Sequence, residues 1–158
     1  MNLHDRQRME RVASELRQAG VEPQIEQFAA STKTAADAAA ALGCEVGAIA
    51  NSLIFVCAGE PLLVLASGAH RVDTALVAAQ LDCDPIERAT PSFVRDRTGQ
   101  VIGGVAPVGH PEHLRTAVDR ALQDYDTVWA SAGTPNSVFR TSFTQLVALT
   151  GGTPVDVA

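Results

Sequence analysis

The sequence predicts a mixed α/β fold in which helices surround a sheet. Helical and extended patterns alternate along the 158 residues, and some neighbouring strands are joined by short turns rather than by helices. Hairpins of this kind favour a mixed sheet over a doubly wound parallel one. Hydrophobic residues make up 46% of the chain and aromatic residues 4%. These proportions predict a mainly aliphatic core within one domain that spans residues 1–158.

Capping residues and apolar spacing predict two helices in the first third of the chain. An N-terminal helix is expected over about residues 4–19, where apolar side chains recur at helical spacing. A short extended segment follows at 21–30. Thr34 is placed to cap an alanine-rich helix that ends at Gly43.

Two apolar runs on either side of a glycine-containing turn predict a hairpin. The first run, Ile49–Cys57, is short and rich in β-branched residues, and the second, Leu62–Ala66, returns after the turn 58–61. Asp73 then stands in the first turn of a helix that runs to about Gln80.

The remaining elements are shorter, and one segment is ambiguous. A strand is expected at 86–90, a helix from Pro91 to Thr98, and a strand that carries Gly103 and Gly104. Residues 113–123 fit a helix by their apolar spacing. A strand at 127–132, a turn at 133–136 and a second strand at 137–141 follow, and a helix runs from Ser142 to Gly151. The tail after Pro154 is expected to be frayed.

Charge and composition restrict the class of protein. The formal net charge is -6 and the sequence pI is about 5.1, which argues against a dedicated nucleic-acid coat but leaves room for a small basic patch. The N-terminus has no apolar segment typical of a signal peptide, and no apolar run approaches the roughly 20 residues that span a membrane. We therefore expect a cytoplasmic protein that does not enter a membrane.

The three cysteines, Cys44, Cys57 and Cys83, are widely spaced and form no CxxC motif. This spacing indicates neither a disulfide framework nor a zinc site. Free, buried thiols in a reducing compartment are the expected state of all three.

The segment Val101–His110 concentrates three glycines and a proline directly behind an apolar run. Glycines there leave backbone N–H groups bare, which suits a pocket for a carbonyl or phosphate oxygen. The segment is no dinucleotide fingerprint, because Pro107 lies where the required helix would run. The alternative interpretation is a glycine-rich hairpin or bulge.

No zinc-protease, nucleophile-elbow or Walker motif is present. The candidate titratable groups are histidines that could equally be ordinary loop residues: His70, His110 and His113. Three arginines before the glycine segment could contact phosphates or form a solvated face: Arg88, Arg95 and Arg97. Trp129 and Phe139 are expected in the core.

Several segments occur in an order that resembles the YbaK family, whose members resemble the editing domain inserted in bacterial prolyl-tRNA synthetases. They lie within about residues 22–152: Thr34–Asp37, Leu42–Cys44, Ile49–Phe55, Ala66–Asp73, Thr98–Gly109 and Ala132–Arg140. The resemblance implies a barrel-like, largely antiparallel sheet with surrounding helices. It also implies a strand followed by a short helix at 113–123.

The resemblance further implies a free-standing aminoacyl-tRNA deacylase that hydrolyses mischarged tRNA in trans and needs no metal or other cofactor. Its expected partner is the 3′ end of an aminoacyl-tRNA, with an aminoacyl-tRNA synthetase as a further candidate; DNA and membranes are not expected partners. The alternatives are a catalytically impaired module that binds aminoacyl-tRNA or a synthetase, and a hydrolase of small esters or amides.

Site residues follow from the same resemblance. Asn51 falls where the family's deacylases carry a lysine, and Asn51 and Gly104 are the expected catalytic positions. The expected substrate-binding positions are Ser52, Gly103, Gly104, Pro107, Gly109, Gly133 and Asn136. Because side chains alternate along a strand, we expect Asn51 to face the pocket and Ser52 to face away unless a bulge intervenes.

Overall fold

The computed structural model describes residues 2–29, 34–83 and 85–158. Ala30, the expected end of the first extended segment, lies outside the described residues. The helices are α1 Leu3–Gln18, α2 Ala35–Leu42, α3 Thr74–Leu81, α4 Pro91–Thr98 and α5 Phe143–Thr150. The strands are β1 Ile25–Gln27, β2 Ile49–Cys57, β3 Glu60–Ser67, β4 Ile86–Arg88, β5 Arg115–Asp119, β6 Val128–Ser131, β7 Ser137–Thr141 and β8 Thr153–Val155.

Side-chain caps start four of the helices where the sequence places them. The capping oxygens belong to Thr34, Asp73, Thr90 and Ser142, and each accepts a hydrogen bond from the backbone N–H three residues later. Glycines in the left-handed conformation end three of them, with φ of 70° at Gly43, 72° at Gly99 and 64° at Gly151. These boundaries were predicted because capping is a local interaction.

The strands form one mixed sheet in the order β1-β7-β6-β2-β3-β5-β8, with β4 paired to β2. The pairs β1–β7, β6–β7, β2–β3 and β2–β4 are antiparallel, whereas β2–β6, β3–β5 and β5–β8 are parallel. The mixed, mostly antiparallel sheet with surrounding helices is therefore confirmed. Over the described residues the two ends of the sheet, β1 and β8, are not paired, so the sheet is not a closed barrel.

One edge of β2 pairs with β3, and the other edge pairs with two short strands, β6 and β4, which leave a gap between them. β6 pairs with β2 only at Ile49 and Ala50, and β4 pairs with it only from Phe55 to Cys57. Among the described residues, no strand pairs with residues 51–54 along this edge. The gap opens the sheet at its centre.

The central strand β3 is buried on both faces and separates two parts of the core. Leu63 and Leu65 belong to a cluster that includes Ala50, Val105 and Phe139. The alternate residues Leu62, Val64 and Ala66 belong to a second cluster, which includes Val77 and Val155. Trp129 is partly buried against a third, smaller cluster around Ala38 and Ile49. Phe139 is thus in the core as expected, whereas Trp129 is only partly buried and is among the residues that line the cleft described below.

Three expectations about secondary structure need correction or resolution. Residues 101–110 form turns rather than a strand, because Gly103 and Gly109 have φ of 86° and 91°. Residues 113–123 hold β5 and a 3₁₀ helix, as the resemblance implied; β5 is buried on both faces, so its apolar run carries no strand period. The tail is not frayed, because Val155 and Val157 are buried in the second cluster.

The expectation of three free thiols is wrong for two of them. Cys57 and Cys83 form a disulfide, with Cα atoms 6.2 Å apart, whereas Cys44 is free. The pair connects the end of β2 to the segment after α3. A sequence separation of 26 residues gave no sign of this contact, which depends on α3 folding back over the sheet.

Candidate active site

The gap in the edge of β2 leads into a cleft of about 1050 Å³. Its walls come from residues 49–55 of β2, the first turn of α2, the loop residues Ile102, Gly103 and Val105, and the turn between β6 and β7. The gap and the glycine loop therefore open onto the same space.

Asn51 and Ser52 both line this cleft. The register of β2 against β3 runs without a bulge from Ala50 to Cys57, so the two side chains lie on opposite faces of the sheet. Both reach the cleft because it opens at the strand's edge and extends to either face. The expectation that only one of them would line it was based on a pocket confined to one face.

The two residues have different surroundings. Ser52 shares its face with Ala50 and Ile54, which pack in the cluster that contains Val105 of the glycine loop. Asn51 shares its face with Phe55, which packs against the second cluster. The Ser52 hydroxyl is buried and has no hydrogen-bond partner among the described residues. An unpaired buried hydroxyl is unfavourable, so a hydrogen bond to this oxygen would stabilise the site.

Gly103 and Gly104 differ in what they do. Gly103 lines the cleft, has positive φ, and has open space where a Cβ would lie. Gly104 is buried behind it, and a Cβ there would lie 2.9 Å from the Pro135 nitrogen and 2.9 Å from the Thr134 carbonyl carbon. Gly103 thus serves the loop's conformation, and Gly104 allows the loop to pack against the turn after β6.

The buried side chain of Gln100 holds the loop in shape. Its Nε2 donates to the Val108 carbonyl at 3.1 Å, and its Oε1 accepts from the Ala106 N–H at 2.9 Å. His110 Nε2 donates to the Ala106 carbonyl at 2.8 Å. Sequence reasoning missed Gln100, because nothing in the pattern shows that residues 106 and 108 fold back onto it.

Burial determines the protonation state of His110. Loss of solvent lowers the pKa of its imidazole to about 4, although the hydrogen bond to Ala106 opposes the shift. The ring is therefore neutral at pH 7 and acts as a hydrogen-bond donor to the loop backbone.

Helix α1 packs behind the loop and explains two further glycines. At Gly109, with φ of 91°, a Cβ would lie 3.0 Å from Val12 Cγ2. At Gly133, with φ of 104°, it would lie 3.0 Å from the Arg8 carbonyl oxygen. Pro107 is also buried, and none of the three is among the residues that line the cleft. Their positions favour a supporting function over direct contact.

Asn136 is placed next to the cleft and holds its wall. Its Nδ2 donates to the Phe28 carbonyl at 3.3 Å, and its Oδ1 accepts from Thr134 Oγ1 at 3.0 Å. Thr134 and Pro135 line the cleft themselves. The side chain of Asn136 therefore fixes the turn that meets Gly104.

Two other candidate histidines have structural partners. His70 Nδ1 lies 2.8 Å from Oδ2 of the buried Asp119, and His113 Nε2 donates to the Thr150 carbonyl at 2.6 Å. Arg97 pairs with Glu60 at 2.6 Å and lies over the ring of Phe93. Of the three arginines singled out in the sequence, only Arg88 lines the cleft. Within the described ranges, no group of three or more His, Cys, Asp or Glu residues could hold a metal ion.

Residues 29–149 match the aminoacyl-tRNA editing domain family. The chain belongs to that family. The resemblance drawn from the sequence is thereby confirmed, and the match covers the cleft, the glycine loop and the turn after β6. No helix in the part of the chain that the structure describes has the length and apolar character needed to cross a membrane.

Relatives of this editing domain include both short and long proteins. It is 30% identical over 117 residues to the uncharacterized protein YwhH of Bacillus subtilis, with 73% of this chain and 74% of that protein covered. It is 31% identical over 96 residues to a proline–tRNA ligase of Nitratidesulfovibrio vulgaris, with 61% of this chain and 17% of the ligase covered. The chain thus spans less than a fifth of that ligase.

Among solved structures, the editing domain is similar to a protein proposed to be a trans-editing enzyme for prolyl tRNA synthetase. The two share 40% sequence identity with a TM-score of 0.89, over 95% of this chain and 96% of the other. A second structure, of the hypothetical protein APE2540, is 29% identical with a TM-score of 0.85 and covers 93% of this chain and 98% of that one.

Proposed function

We propose that this editing domain is a free-standing aminoacyl-tRNA deacylase that hydrolyses mischarged tRNA in trans. The observation that carries the proposal is the cleft itself, in which the open edge of β2 and the loop at Gly103 line the same space. Membership of the editing-domain family supports an aminoacyl-tRNA substrate, and similarity to a proposed trans-editing enzyme supports action outside a synthetase.

In this proposal the aminoacyl ester enters the cleft with its carbonyl against the backbone N–H of Gly103, since the Gly104 N–H already donates to the Val101 carbonyl at 2.8 Å. Amides aimed at that oxygen would stabilise the negative charge that develops on it during attack. Water, oriented by a ribose hydroxyl of the substrate, attacks the ester carbon. The ester C–O bond then breaks, and the products are the free amino acid and the tRNA hydroxyl.

The side chains at the front of the cleft would position the substrate. The unpaired hydroxyl of Ser52 can donate to or accept from the amino acid or the ribose. The amide of Asn51 can do the same, although it lacks the charge of the lysine found in the family's deacylases. Gly104, Pro107, Gly109, Gly133 and Asn136 would act indirectly, by holding the loop and the turn in place. A cytoplasmic location fits this substrate.

The second candidate is a binding module that holds aminoacyl-tRNA, or a synthetase, without chemistry. Asn51 favours it, because a neutral amide stabilises a developing oxyanion less than an ammonium group does. Turnover separates the two. We expect the wild-type chain to hydrolyse at least one of a panel of mischarged tRNAs faster than spontaneous hydrolysis. Binding of charged tRNA with no acceleration on any of them would favour the binding module.

A further inference from the structure

The charge of the cleft differs from that of the whole chain. The sequence has 18 Asp and Glu residues against 12 Lys and Arg, for a formal net charge of -6. Among the described residues that line the cleft, however, there is no carboxylate, and the charged ones are Arg71 and Arg88. An acidic protein with a cleft whose charged groups are both cationic is arranged to receive an anion.

The two arginines have no competing partner among the described residues. Both are exposed, and the guanidinium group of neither forms an ion pair or hydrogen bond with another described residue. Four other arginines do pair with acids, at Arg8–Asp5, Arg17–Glu10, Arg97–Glu60 and Arg120–Asp156. The guanidinium groups at the cleft are therefore available to a ligand.

Their position places them on the Asn51 side of the sheet. Arg88 is the cross-strand partner of Phe55, so its side chain shares the face that carries Asn51. Arg71 precedes Val72, which packs with Phe55 against the same cluster. Positive charge is thus present on the same face of the sheet as the strand position where the family's deacylases have a lysine, and in the same cleft, but it comes from two other segments.

We propose that Arg71 and Arg88 bind phosphate groups of the RNA strand whose 3′ end enters the cleft. Guanidinium groups bind phosphate oxygens in a bidentate manner and stay charged at all relevant pH values. The inference rests on the proposed function, because it names the contacts by which the same site would hold its nucleic-acid substrate. Free phosphate, nucleotides and RNA all carry the group that these arginines would bind, and we propose that the ligand is the phosphate backbone at an RNA 3′ end.

Binding of uncharged RNA tests this without any hydrolysis. The probe is an RNA stem-loop that ends in single-stranded CCA and carries no amino acid, titrated by fluorescence anisotropy at several salt concentrations. The proteins are wild type, Arg71→Gln, Arg88→Gln, the double variant and Arg95→Gln. Arg95 is the matched control, since it is exposed on α4, has no partner among the described residues and does not line the cleft.

We expect each cleft variant to bind roughly fivefold more weakly, and the slope of log affinity against log salt to fall by about 0.7 for each phosphate that the protein no longer neutralises. The double variant should show about twice that decrease in slope, while Arg95→Gln stays within about twofold of wild type. A further variant, Arg88→Lys, should keep the wild-type salt slope because it keeps the charge, but should bind more weakly than wild type because an ammonium group cannot pair in a bidentate manner. Circular dichroism of each variant should match the wild type.

Equal binding by all variants, an equal reduction in Arg95→Gln, or no binding by the wild type would overturn the inference. Inorganic phosphate and adenosine monophosphate form a separate arm. If either competes as well as the RNA does, the ligand is a free phosphate or nucleotide, and the RNA assignment is wrong. Arginine-dependent binding without turnover would instead refute the deacylase and leave this inference standing. If the wild-type chain hydrolyses mischarged tRNA, and if replacing both arginines changes neither turnover nor binding, the deacylase proposal stands and this inference is wrong.

Discussion

The front and the back of the glycine loop are built for different purposes. The front, at Gly103, lines the cleft with open space where a Cβ would lie, and Ser52, whose hydroxyl is unpaired, lines the same cleft. The back, from Gly104 to Gly109, is buried against the turn after β6 and against α1. One glycine-rich motif therefore contains a surface for a ligand and a packed support. Changes at the back should alter stability, and changes at the front should alter binding and rate.

The largest effect is expected at the back, for Gly104→Val. A Cβ there would lie 2.9 Å from backbone atoms of Thr134 and Pro135, which cannot move as a flexible side chain can. We expect a decrease of about 3 kcal/mol or more in the free energy of unfolding, with activity abolished as well. Urea unfolding of the variant measures it.

Gly103→Ala is the matched control at the front. Its cost should be limited to the left-handed backbone, about 1–2 kcal/mol, because no atom lies within 4 Å of the added Cβ. Equal destabilisation by the two variants would show that the loop is packed alike on both sides.

Gln100→Leu should have the next largest effect. It removes both hydrogen bonds that the side chain makes to the loop and leaves the Ala106 N–H and the Val108 carbonyl without their partner. The expected cost is about 2–4 kcal/mol in unfolding free energy. Gln123→Leu, at an exposed position of the 3₁₀ helix, should cost less than about 0.5 kcal/mol. Similar values for the two would mean that Gln100 does not support the loop.

Lowering the pH should decrease the free energy of unfolding because His110, which is hydrogen-bonded to the glycine loop, is buried in its neutral form. Its pKa is lowered to about 4 in the folded state, against a usual value of about 6.5. The unfolded chain therefore binds the proton first as pH falls. The stabilisation is complete above about pH 6.5 and is lost between there and about pH 4, by at most about 3 kcal/mol. His110→Gln should flatten this part of the pH–stability curve, and His4→Gln, at an exposed position, should not.

Local interactions explain which parts of the fold were predictable. The caps at Thr34 and Ser142 and the β2–β3 hairpin depend on residues close in sequence, and the structure places them where the sequence predicted. The prediction of a frayed tail was wrong because the burial of the tail depends on contact between Val157 and a cluster formed by distant segments. Gln100 and the Cys57–Cys83 pair were missed for the same reason.

The cleft, too, was only partly predictable, because it depends on contacts between segments that are distant in sequence. Glycine content identified the loop. That Gly103 lines the cleft while Gly104 packs against the turn after β6 depends on where Pro135 lies, which the sequence does not show. Alternation along β2 correctly separates Asn51 from Ser52, yet it could not reveal that a gap between β4 and β6 gives both access to the cleft.

The most direct test of the front of the cleft as a deacylation site is single-turnover hydrolysis of a mischarged tRNA by wild type, Asn51→Ala and Asn51→Lys. One hydrogen bond to the substrate contributes about 0.5–1.5 kcal/mol, so Asn51→Ala should be roughly tenfold slower at unchanged stability. Asn51→Lys should keep or raise the wild-type rate if its ammonium group reaches solvent or substrate. A wild-type rate no faster than spontaneous hydrolysis, or equal rates for wild type and Asn51→Ala, would contradict a deacylation site at the front of the cleft.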